Sequence, residues 1–212
     1  MTNVYIIGPQ CTGKTTLVNA LEESFANYPD NIQLGVHEQP RVIREIARTL
    51  MKEKRFSRED MSTSKVRALQ LQQHILEAQY VAERSASAND PTSWYICDRS
   101  GLDPIVYADK HVGTEAATQM LSTETWSELE TRMKQGIVVL CEPGCHWLTD
   151  DGIRLMPTDT EDWIHVGDVF RRLLEARGIS YSIVSKDLED LGKRVQFVRG
   201  LIEATYERKS YE

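Results

Sequence analysis

Residues 8–16 read Gly-Pro-Gln-Cys-Thr-Gly-Lys-Thr-Thr, after the apolar run 4–7 and before a helical stretch. The spacing is G-x-x-x-x-G-K-[ST], and its chemistry is anion binding. The two glycines let the backbone curl so that several N–H groups converge on one point. The helix that follows adds the partial positive charge of its N-terminus. Gly8, Gln10, Cys11, Thr12, Gly13, Lys14, Thr15 and Thr16 are therefore candidate nucleotide-binding residues. Lys14 would reach the β- and γ-phosphates of a nucleoside triphosphate, and the Thr15 hydroxyl would ligate Mg²⁺.

Further candidates stand where other apolar runs end. The run 94–97 finishes in Asp98-Arg99-Ser100. An acid closing a buried strand fits a Mg²⁺-holding position, and Arg99 adds charge for phosphoryl oxygens. Asp98 could instead cap the helix expected from Leu102, but Ser100 suffices for that. The run 32–36 is followed by Glu38 and Arg41. Glu38 could take a proton from a substrate hydroxyl, and Arg41 could neutralise an anionic substrate. Alternatively, Glu38 is a solvated acid in a first helical turn. Asp103 and Tyr107 lie one helical turn apart, so both could face one substrate; an exposed Asp beside a packed Tyr gives the same spacing.

Five short apolar runs, 4–7, 32–36, 94–97, 137–141 and 181–184, alternate with helical stretches at 14–25, 41–54, 65–84, 102–109, 115–133 and 194–206. Trp163, Val166, Phe170 and Leu173 mark one more helix by their apolar stripe. Strands alternating with helices predict an α/β doubly wound fold: a five-stranded parallel sheet with helices on both faces. Ligands then bind beyond the carboxyl ends of the strands, where the candidate residues fall.

The 212 residues suit one domain with insertions, 41% hydrophobic and 27% charged. Lys and Arg number 25 against 32 Asp and Glu, a net charge of −7 that speaks against broad nucleic-acid or anionic-membrane binding. No apolar run approaches a bilayer span, and the start of the chain does not resemble a signal peptide. Cys97 and Cys141 sit in strand-like runs, as small buried residues of a reducing, cytoplasmic protein would. Cys141, Cys145 and His146 supply three candidate zinc ligands with no second motif to complete a site, so no zinc is expected. His74 and His165 read as surface or packing residues.

The order of these motifs resembles that of P-loop nucleoside and nucleotide kinases. The string DRSGLDPIVYA, at 98–108, looks more like the small AAA-type ATPase/kinase family, which includes the kinase domain of nicotinamide riboside kinases. The stretch 71–83 and Asp151-Gly-Ile-Arg154 are similar to that family too. The resemblance implies a single P-loop NTPase domain over 1–212, with a small lid at about 143–172 carrying Arg154. It implies an ATP- and Mg²⁺-dependent kinase acting on a small, nucleoside- or ribosyl-like molecule. Lys14, Glu38, Arg99 and Arg154 would be catalytic, Thr15 and Asp98 would hold the metal, and Glu38, Arg41, Asp103 and Tyr107 would bind the acceptor. Arg171 and Arg172 lie near the lid, which leaves open which arginine closes over the phosphates. Val184-Ser-Lys-Asp187 lacks the spacing of a GTP-reading N-K-x-D loop, which favours ATP, with Lys186 and Arg194 as candidates to stack on the base. Trp147 and Trp163 either stack on a ring or pack in the core. A nucleotide switch or an ATPase or GTPase without a small acceptor is the alternative, and a homodimer is left open.

Overall fold

The computed structural model of the chain describes residues 2–27, 39–87, 93–147 and 156–209. Strands β1 (Val4–Ile7), β2 (Arg41–Ile43), β3 (Tyr95–Asp98), β4 (Ile137–Cys141) and β5 (Ser182–Val184) form one sheet in the order β2-β3-β1-β4-β5, every pair parallel. The three central strands are apolar without alternation because both faces are covered.

Helices α1 (Lys14–Asn27) and α9 (Leu191–Lys209) cover one face. Leu17, Leu21, Val198 and Ile202 pack there on Val4, Ile6, Ile96 and Val139. The other face carries α4 (Lys65–Ser87), α5 (Leu102–His111), α7 (Glu124–Gln135) and α8 (Thr160–Arg177). Leu76, Ile105, Trp126, Leu129 and Phe170 pack there on Tyr5, Ile7, Cys97 and Leu140. The expected doubly wound architecture is the observed one, and the P-loop NTPase fold with it.

Two local expectations are corrected. Arg41 does not open a helix. Residues 41–43 pair with β3, the Arg41 N–H reaching the Trp94 carbonyl at 2.9 Å, because the outer edge of β3 would otherwise leave backbone groups unpaired. Helix α2 (Ile46–Glu53) begins only after Glu45. The single helix expected over 115–133 is two, α6 (Thr114–Leu121) and α7, divided where the Thr123 hydroxyl accepts the Trp126 N–H at 3.2 Å and caps α7. Between α2 and α4 lies α3 (Arg58–Thr63), opened by a reciprocal capping box of Ser57 and Asp60. The run at 32–36 lies outside the described residues. From Thr160 onward the segment expected as a lid is α8, whose Trp163, Val166 and Phe170 are fully buried.

Candidate active site

The site forms where β1, β2 and β3 end together, with Ile6 opposite Asp98 and Ile43 opposite Cys97. After Ile7 the chain turns through Gly8 at φ 130°, where a Cβ would come within 2.5 Å of the Cys141 carbonyl, so only glycine fits. Gly13 at φ 81° releases the chain into α1. Cys11 also takes positive φ, 60°, which strains a residue with a side chain. Residues 8–14 thus coil into a nest at the head of a 14-residue helix.

Lys14 is buried inside this nest, its ammonium donating to the Pro9 carbonyl and, at 3.3 Å, to the Thr12 hydroxyl. Burial first, then the nearby Arg99 charge, pulls its pKa down to about 8. A bound triphosphate favours the charged form, so binding above that pH takes up a proton. We expect ATP affinity to hold steady up to about pH 8 and then to fall about tenfold per pH unit. Calorimetric titrations across this range check it, and an affinity still level near pH 10 would contradict it.

The Thr15 hydroxyl donates to the Asp98 carboxylate at 2.6 Å, and the second Asp98 oxygen, Oδ1, is buried with no hydrogen-bond partner among the described residues. A buried carboxylate oxygen without a donor is costly unless something cationic or a water fills the gap. Thr15 and Asp98 therefore fit Mg²⁺, a hard cation that favours oxygen ligands.

Arg99 follows at φ 90°, a second strained residue in the site, with its N–H bonded to the Ile6 carbonyl at 3.0 Å. Its guanidinium lies 2.9 Å from Glu45 and 3.3 Å from Asp103. Burial opposes its charge, but Glu45 first among its neighbours holds its pKa well above the ordinary value. Asp103 is itself fixed, its Oδ2 accepting from the Ser100 N–H at 2.8 Å and the Ser100 hydroxyl at 3.0 Å. Tyr107 is fixed too, donating its hydroxyl to the Gln10 side chain at 2.6 Å.

Arg99 borders two hollows. One is the cradle, with Cys11, Gly13, Lys14, Thr15 and Thr16. The other is a hollow, open at its mouth, whose enclosed space is about 100 Å³. Glu45, Asp103, Tyr107 and Gln10 line it toward the phosphate side, and Met51, Met61, Leu71 and Ile75 give it apolar walls. Two buried amides, Gln72 and Gln79, are set among them. Gln79 is held by its Nε2, which donates to the fully buried Glu83 at 2.9 Å. Glu83 in turn accepts from the Tyr5 and Tyr95 hydroxyls at 3.1 and 3.0 Å. Burial pushes its carboxyl pKa up even so.

The structure thus brings the 8–16 loop, Asp98, Arg99, Asp103 and Tyr107 to one crevice. Glu38 and Arg154 lie outside the described residues. Arg41 is exposed at the start of β2 and lines neither hollow. The carboxylate at the end of β2 is Glu45, concealed in the sequence because a three-residue edge strand has no apolar pattern. Arg171 is occupied by Glu142 at 2.8 Å and Arg172 by Asp109 at 2.5 Å, and neither borders the cradle. Arg194 is buried behind Gly13, donating to the Thr12 carbonyl at 3.1 Å and lying 5.2 Å from the centre of the Trp147 ring. Trp163 packs with Cys11 and Cys145, while Lys186 stays at the surface. No helix among the described residues is long and apolar enough to cross a membrane.

Solved structures of several kinases share this fold. A deoxyadenosine kinase from M. mycoides with bound dATP superposes with a TM-score of 0.63 at 14% identity, over 95% of this chain and 99% of that one. The NadR protein in complex with NR gives 0.66 at 20% identity, over 97% of this chain and 51% of the other, so this chain spans about half of that protein. A thymidylate kinase from Ehrlichia chaffeensis gives 0.57 at 15%, over 95% and 98%. At such identities the likeness is one of fold. No curated relative matches the sequence. The sequence itself, from residue 3 to residue 190, matches the AAA domain family, and to that family the chain belongs.

Proposed function

We propose that the protein transfers the γ-phosphate of ATP, with Mg²⁺, to a hydroxyl of a small neutral or cationic molecule of nucleoside size. One observation carries this reading: the polar-mouthed hollow beside the phosphate cradle, sharing Arg99 with it. A nucleotide switch has no need of such a space. Nucleotide kinases are among the folds it resembles, but among the described residues the hollow's lining holds no surplus positive charge for a second phosphate. Its lining pairs Arg99 with Glu45 and Asp103, and burial lowers the His111 pKa to about 4, leaving that ring neutral. The amides and apolar walls suit a flat, uncharged body.

Phosphoryl transfer asks for in-line placement and for positive charge on the moving group. Lys14 and the nest hold the phosphates, and Arg99 supplies charge at the junction of the two hollows. Mg²⁺ held by Thr15 and Asp98 would neutralise charge on the phosphate oxygens. Glu45 orients the acceptor hydroxyl and takes its proton, a role the sequence had suggested for Glu38. Its Oε1 accepts from Arg99 and its Oε2 from the Arg48 Nε at 3.0 Å, so its direction is fixed. Glu45→Gln is expected to slow transfer about a hundredfold or more while MgATP still binds. An unchanged rate removes the proton-acceptor role.

The reading is tested by incubating the protein with ATP, Mg²⁺ and a panel of ribo- and deoxynucleosides, nicotinamide riboside and nucleoside monophosphates, with products read by mass spectrometry. A phosphorylated nucleoside or riboside is expected. Products from monophosphates alone would overturn the charge argument. ADP formed at the same rate with and without every acceptor would favour an ATPase.

A further inference from the structure

Tyr107 lines the acceptor hollow, and its hydroxyl, which also faces Arg99, is bonded to the phosphate loop. It accepts the Gln10 backbone N–H at 3.1 Å and donates to the Gln10 side-chain oxygen at 2.6 Å. The Gln10 carbonyl is held from the other side, accepting the Trp163 indole N–H at 2.8 Å. Both faces of one peptide-bearing residue are therefore gripped, by α5 and by α8. Pro9, the residue before, packs toward Gly167 of α8, where a Cβ would meet Pro143 at 2.8 Å.

The residue after Gln10 explains why a grip is needed. Cys11 sits at φ 60°, a conformation that a side-chain-bearing residue leaves readily unless its neighbours hold it. The turn at Cys11 helps shape the nest around Lys14. A Gln10 N–H committed to Tyr107 also cannot turn toward the phosphate, so the loop's direction is set before any ligand arrives. The His111 ring lies parallel to that of Tyr107, 7° between planes with centroids 6.0 Å apart, and limits where the phenol can go.

We propose that Tyr107 is a positioning residue of the nucleotide site: acting through Gln10, it holds the strained phosphate loop in its binding shape. This rests on the reading of residues 8–16 as a nucleotide cradle. It goes beyond that reading by moving Tyr107 from the acceptor to the phosphates. Pre-forming the nest removes a reorganisation cost from nucleotide binding, so the effect falls on MgATP affinity.

The test compares wild type, Tyr107→Phe, Gln10→Ala and the double variant. MgATP affinity is measured by calorimetry and exchange of the Gln10 amide by NMR. Tyr107→Phe keeps the ring and its packing and is expected to weaken MgATP binding about tenfold, with the Gln10 amide losing its protection from exchange. Gln10→Ala keeps the backbone bond and is expected to lose less. The double variant is expected to bind no more weakly than Tyr107→Phe alone, because the two residues act as one unit. Unchanged MgATP affinity in Tyr107→Phe, or losses that simply add, would overturn the proposal. A Gln10 amide unprotected in the wild type would overturn it too, whether or not ATP binds. Wild-type protein that takes up no MgATP while its Gln10 amide is protected would sink the nucleotide reading and, with it, this role for Tyr107.

Discussion

Lys14→Ala is expected to cut phosphoryl transfer by about a thousandfold or more, the scale of losing a preorganised charge on a moving phosphoryl group. The unliganded fold should tolerate the change. Burial already pulls the Lys14 pKa down to about 8, which means that the empty nest holds this charge at a cost. The alanine variant should therefore unfold at or near the wild-type temperature while losing MgATP binding and product formation together. Thermal unfolding alongside calorimetry separates the two effects. Substantial turnover in Lys14→Ala would show that the chemistry lies elsewhere.

Arg99→Ala carries the second large effect, and it falls on both stability and rate. Arg99, Glu45 and Asp103 are each nearly buried, with side-chain exposures of 11%, 10% and 3%. Removing Arg99 leaves Asp103 without its guanidinium partner and Glu45 with Arg48 only, in a poorly solvated space. Breaking such a buried pair from one side costs about 3–5 kcal/mol. In a chain of this size that lowers the unfolding midpoint by about 10 °C. Assayed where the variant is still folded, transfer should also drop at least a hundredfold, because the charge between the two hollows is gone. Arg99→Lys should restore part of the stability but little of the rate, since an ammonium cannot reproduce the fork that meets Glu45 and Asp103. A fully active Arg99→Lys enzyme would mean that only the charge, and not its geometry, matters.

The parts of this site that were legible in the sequence are those whose chemistry is local. Gly8, Gly13 and Lys14 are spaced by the geometry of one loop, and Asp98-Arg99 follows one strand directly, so contiguous residues carry the whole signal. Glu45 could not be read this way. Its position depends on residues 41–43 joining the edge of β3, a pairing made by backbone groups and not by any apolar pattern. Gln79 and Glu83 were hidden for another reason. In the sequence they are polar residues of a long helix, and the partners that satisfy them in the interior, the Tyr5 and Tyr95 hydroxyls on Glu83 and Cys97 beside Gln79, come from strands β1 and β3. Tyr107 was visible as a residue of the crevice, but its partner lies 97 positions away in the phosphate loop. The division between α6 and α7 had a local sign in Thr123, a good capping residue, which the surrounding helical pattern outweighed.

The central claim is that the loop around Lys14 grips a magnesium-bound nucleoside triphosphate. Calorimetric titration of the wild-type chain with ATP in the presence of Mg²⁺ tests it most directly. The account predicts saturable one-to-one binding that weakens without Mg²⁺ and disappears in Lys14→Ala. No uptake of ATP or GTP by the folded protein with Mg²⁺ present would contradict it.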